Sequence, residues 1–131
     1  MVLANEEWSN DSEHLPHPFW YARVLGVYHT NVLYGLETPR KKERMEFLWV
    51  RWFGRDPEWV GGPSTLRLDR VGFVPEDDPS GAFGFLEPEK ILRACHLIPA
   101  YALGKTSTLL SPLSQYRDSS DGDWVNYYVN R

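Results

Sequence analysis

Apolar and polar positions organise the chain most clearly between Met45 and Phe53, a run of Met-Glu-Phe-Leu-Trp-Val-Arg-Trp-Phe free of Pro and Gly. Read as a strand, Met45, Phe47, Trp49, Arg51 and Phe53 share one face, and Glu46, Leu48, Val50 and Trp52 share the other. Both faces are mostly apolar, so the pattern predicts a central strand covered on both sides. Upstream, Phe19 to Tyr34 alternates as one long strand or two segments, with Gly26 marking a bulge or bend. Gly35 to Arg44 reads as an exposed hairpin tip.

Past Gly54, the turn Arg55-Asp56-Pro57 and the break Gly61-Gly62-Pro63 end the first half. Leu66 to Val74 alternates as a half-exposed strand, and Pro75 to Gly84 is an acidic loop rich in turn formers. Pro88 suits the start of a helical turn over Glu87 to Lys90. A short buried strand follows within Ile91 to Ile98, a continuous helix being the alternative. Gly104 to Asp123 is a polar wrapping loop with a helical turn expected near Ser111-Pro112. Trp124 to Val129 is a last strand or an amphipathic closing segment whose aromatics need burial against the sheet. The fold expected is mainly β: a small twisted β-barrel with long loops and one or two short helical turns. Residues 1–17 form a polar N-terminal arm and residues 18–131 a single domain.

Composition changes this picture in one respect. Six Trp, seven Tyr and six Phe are many for 131 residues, and a core this small leaves rings over for a binding surface. Trp20, Tyr21, Tyr28, Trp49, Trp52 and Trp59, with Asp56 as an acid, could line an aromatic cage for a quaternary ammonium. The same rings could instead fill the barrel. The net charge of −4 opposes a phosphate backbone, but Arg40, Lys41, Lys42 and Arg44 form a local basic run open to nucleic acid.

Other chemistry is thinly supported. His14, His17, His29, Cys95 and His96 lack a second pair at finger spacing, so no metal or other cofactor is expected. Cys95 and His96 are neighbours, and neighbours on a strand face opposite ways, which disfavours a nucleophile–base pair. Glu76, Asp77 and Asp78 in succession make a solvated turn rather than converging carboxylates. A single cysteine rules out an internal disulfide and fits a reducing compartment. The acidic N-terminus is the reverse of a signal peptide, and no apolar run reaches membrane-spanning length. These features together lead to the expectation of a non-catalytic, intracellular protein away from membranes.

Two resemblances add to this reading. The segments 17–29, 47–57, 71–79, 95–100 and 123–130 resemble part of large basidiomycete proteins associated with Kyakuja-Dileera-Zisupton-type transposable elements. That likeness implies a piece of a larger fungal protein. Ala22-Arg23-Val24-Leu25 with Leu48-Trp49-Val50-Arg51-Trp52-Phe53, the turn Arg55-Asp56-Pro57, and Ile91 to Cys95 are similar to bromo-adjacent homology domains. Those are β-rich nuclear modules that bind histone tails, nucleosomes or other proteins, some through an aromatic cage. The implied function is a protein or histone-peptide interaction module, with methylated tails as the sharpest form. A nucleic-acid accessory domain and a structural brace for the parent protein are the alternatives.

Overall fold

The computed structural model describes residues 2–4, 19–36 and 38–131; most of the expected arm, with His14 and His17, lies outside them. The strands are β1 (Val2–Ala4), β2 (Phe19–Tyr34), β3 (Lys41–Arg55), β4 (Asp69–Phe73), β5 (Phe83–Leu86), β6 (Ile91–Arg93), β7 (His96–Pro99), β8 (Lys105–Thr106), β9 (Asp123–Trp124) and β10 (Tyr127–Asn130). Eight of them form one sheet in the order β6-β1-β2-β3-β4-β10-β7, with β5 also on β3. Its two terminal strands, β6 and β7, are separated in sequence by only Ala94 and Cys95. The sheet can satisfy that connection only by curling its edges toward each other, and it is a strongly curled half-barrel. The protein is therefore mainly β, as its alternation predicts.

β3 is the hub. It pairs with β2 along nearly its whole length, with β5 through Leu48–Arg51, and with β4 through Phe53–Arg55. Its two faces bury separate clusters. One holds Phe53 with Tyr21, Val71, Phe73, Tyr127 and Val129. The other holds Leu48 and Val50 with Ala22, backed by Trp52, Leu86 and Ile91. Burial on both sides is confined to Leu48–Phe53; residues 41–46 are exposed. A register shift between Val24 and Gly26 places the bulge where the glycine marks it. Gly26 also leaves room for the Tyr28 ring, which would come within 2.5 Å of a Cβ there.

Several boundaries differ from the expectation. Lys41, Lys42 and Arg44 are not in the hairpin loop but on β3, because strand pairing with Tyr34, Leu33 and Asn31 continues out to the tip. β4 begins at Asp69, since Pro63–Thr65 forms a 3-10 turn and Leu66 takes a left-handed conformation (φ 54°). Within β4, Asp69, Val71 and Phe73 are buried and Arg70 and Gly72 half-buried. Helical turns occupy Pro63–Thr65, Pro88–Lys90 and Tyr101–Leu103, whereas Ser111-Pro112 carries a simple turn. The apolar run after Lys90 is two short strands rather than one, with Ala94-Cys95 as the corner, and is half-exposed rather than buried. The closing segment is divided: Asp123–Trp124 pairs with β8, and Tyr127–Asn130 inserts between β4 and β7.

Candidate functional site

The structure sends the cage candidates to five places. Tyr21 is 2% exposed in the core, its hydroxyl donating to Asp69 Oδ2 at 3.1 Å. Tyr28 lies on the outer part of the β2–β3 hairpin, stacked on Phe47 with centroids 5.7 Å apart. Trp49 stacks on Phe83 at 5.5 Å and meets Phe85 at 4.7 Å. Trp59 donates its indole N–H to Leu68 O and packs on Tyr128, with the Arg70 guanidinium 4.4 Å from its ring. Asp56 accepts from Arg70 at 2.7 Å, so its charge is spent on a structural pair. The dispersal has a simple origin: Trp49 and Trp52 differ by an odd number of residues on one strand, which places them on opposite faces.

Trp20 and Trp52 do come together. Their ring centroids are 6.0 Å apart and the planes cross at 83°. They stand at a groove of about 400 Å³ shared with Phe19, Tyr21, Phe53, Gly54, Arg55, Val74, Ser80 and Gly81. Trp20 is 47% exposed and Trp52 half-buried. Trp52 is held from its backbone, donating N–H to Ala82 O (2.8 Å) and accepting from Val74 N–H (3.1 Å). Its ring lies along Gly84, where a Cβ would approach Nε1 to 2.7 Å. The groove thus draws residues from both faces of the β2–β3 pair, together with Ser80 and Gly81. Phe19, Phe53, Arg55 and Val74 are site residues absent from the sequence-based set. Trp20 precedes the bulge and Trp52 sits four residues before Asp56, so only the β2–β3 register, unreadable from alternation alone, joins them.

The basic run does not form a patch. Arg40 is exposed at the tip, Lys42 and Arg44 share one strand face, and Lys41 points to the other with Glu43. Arg44 also pairs with Glu46 at 3.1 Å on the surface. Among the other candidates, His29 and His96 are exposed and Cys95 is half-buried against the core. Among the described residues no three His, Cys, Asp or Glu side chains gather as metal ligands would. Glu76 and Asp78 act in loop geometry: Glu76 accepts from Ser111 N–H, and Asp78 accepts from Ser80. The Ser80 hydrogen bonds hold the exposed Asp78 carboxyl below its ordinary range.

A polar network gathers around Arg51, the lone charge among Phe47, Trp49 and Phe53 on one face of β3. Arg51, 0% exposed, donates Nη1 and Nη2 to both oxygens of Asp123 at 2.8 Å, and Nη1 to Tyr116 O at 3.0 Å. Its guanidinium lies 3.6 Å from the Phe73 ring centroid. Asp118 N–H donates to Asp123, and the Asp118 carboxylate takes Arg23 and the Tyr127 hydroxyl. These bonds fasten the loop from Ser107 to Gly122 onto the core. Burial, followed by the Asp69 charge, pushes the Tyr21 hydroxyl well above the ordinary phenol range. A raised folded value means stability that is whole below the free phenol value near 10 and is lost as pH rises through the folded one. Wild type should therefore lose stability above about pH 10 more steeply than Tyr21→Phe, as urea midpoints measured from pH 8 upward would show; parallel curves would contradict it.

Comparison with protein-family models, with curated proteins and with solved structures finds no match to this chain.

Proposed function

We propose that the chain is a non-catalytic interaction module that holds a peptide in the Trp20–Trp52 groove, in the manner of the chromatin modules its strands resemble. The observation that carries this reading is the right-angled, open pair of indoles over an apolar groove. Two rings set that way offer walls to one inserted side chain. A methylated lysine of a histone tail is the occupant of choice. Its methyl groups are apolar, its charge gains from each ring face, and its basic flanks suit a chain of net charge −4. Arg55 on the groove works against that cation. The transposon-encoded setting implied by the first resemblance and the nuclear one implied by the second belong to the same proposal.

The test is a histone-tail peptide array followed by titration of the strongest binder. Trp20→Ala should weaken binding by about 3–30-fold, the equivalent of one ring contact of roughly 0.5–2 kcal/mol. Trp20 is half exposed, so this change should leave the fold intact. Arg55→Ala should tighten binding of a methylated tail, because it removes a like charge. Absence of binding to every modified and unmodified tail would sink the proposal and leave the brace for a parent protein in its place.

A further inference from the structure

Beyond the groove, the β2–β3 hairpin extends as a two-stranded ribbon whose two outer edges are composed differently. The β3 side of this ribbon carries Lys41, Lys42, Glu43, Arg44 and Glu46. Charges of this kind are how proteins blunt an open edge. The β2 side has no Asp, Glu, Lys or Arg from Val24 to Leu36. Among the described residues, β1 pairs with β2 only at Phe19–Tyr21, and no strand lies on that edge from Gly26 to Tyr34. The apolar side chains there are open: Val27 is 73% exposed, Leu33 62% and Tyr28 48%. A two-stranded ribbon is marginal in water by itself, and here it presents an undefended, β-branched, uncharged edge.

We propose that this edge pairs with the same edge of a second copy, antiparallel, continuing the sheet across a twofold axis at Thr30. The segment matches its own reverse about that residue. Val27 falls opposite Leu33, Tyr28 opposite Val32, His29 opposite Asn31, and Thr30 opposite itself. Apolar residues meet apolar ones, the polar pair meets across the axis, and every pair keeps to one face because the positions differ by an even number. An unrelated extended peptide would not need this internal symmetry, and the lack of charge lets two acidic chains approach here. The pairing leaves the Trp20–Trp52 groove of each copy uncovered, since Trp20 and the Ala22–Trp52 pair lie on the other side of the bulge from Val27–Leu33.

Sedimentation velocity across a wide concentration series tests the association, with wild type expected to shift from monomer to dimer. Val27→Lys with Leu33→Lys sets like charges opposite one another across the axis and should return the protein to monomer. Thr30→Cys in a Cys95→Ser background should oxidise to a covalent dimer, because directly opposite residues lie within disulfide reach. His29→Cys should not, since its counterpart is displaced by two residues. If the double lysine variant does not fold, the cysteine pair still decides. A wild type monomeric throughout the series, a dimer indifferent to the lysines, or cross-linking through His29→Cys in preference to Thr30→Cys would each overturn the proposal.

Discussion

Asp123→Ala should destabilise the fold by about 3–5 kcal/mol at neutral pH, because it strands a buried guanidinium. Arg51 has no exposure, and Asp123 supplies two of its hydrogen bonds. Arg51 Nε already has no hydrogen-bond partner among the described residues, so little local capacity remains to absorb the loss. The same carboxylate accepts the Asp118 amide, and its removal also loosens the loop that Asp118 anchors to Arg23 and Tyr127. Arg51→Met with Asp123→Ala should lie closer to wild type than Asp123→Ala alone, since an absent charge needs no partner. Urea denaturation of the variants measures this. A loss under about 1 kcal/mol in Asp123→Ala would mean that water reaches Arg51, contrary to its burial.

The pH dependence gives an independent check. Burial by itself would raise the Asp123 carboxyl. The Arg51 hydrogen bonds, the Asp118 amide and the charges of Arg51 and Arg23 outweigh it and hold the group below its ordinary value. A lowered folded value means stability that is whole above the unfolded value near 3.9 and is lost as pH falls through the folded one. The difference between wild type and Asp123→Ala should therefore be constant near neutrality and shrink below about pH 4.

How this fold could be read from sequence depended on the range of the interaction involved. Alternation exposed β2, β3 and β10 because each buries one or both faces, and period-2 patterning records burial directly. It did not reveal β5, whose Phe83-Gly84-Phe85-Leu86 hides behind turn-forming neighbours, nor the β8–β9 ribbon of two residues per strand. Register was the greater loss. The indoles of Trp20 and Trp52 become neighbours only once Ala22 is set opposite Trp52, and a strand read alone carries no partner. The Arg51–Asp123 pair spans 72 residues and left only one trace in the pattern, a lone arginine on an aromatic strand face. That trace is general: a charge in an otherwise apolar central strand requires a distant counter-charge.

Phe53→Ala should cost about 3–5 kcal/mol, the range for deleting a buried aromatic ring. Phe53 is 6% exposed, stacked on Phe73 with centroids 4.1 Å apart and edge-on to Tyr127 at 5.6 Å. It opposes Tyr21 on β2 and Phe73 on β4, so the void would open at the point where three strands meet. Curled sheet on both flanks resists collapse into that space, which places the loss toward the upper end. Phe53→Leu keeps much of the volume and should cost about 1–2 kcal/mol. Both variants are read by denaturant midpoint at unchanged slope. Phe53 also lines the groove, from the strand face opposite to that of Trp52, and this separates core from site. Where Phe53→Leu remains folded, peptide affinity should fall less than in Trp20→Ala, because the leucine keeps the groove apolar while both indoles stay in place. A larger loss in Phe53→Leu than in Trp20→Ala would move the binding determinant from the exposed indole to the core side of the groove.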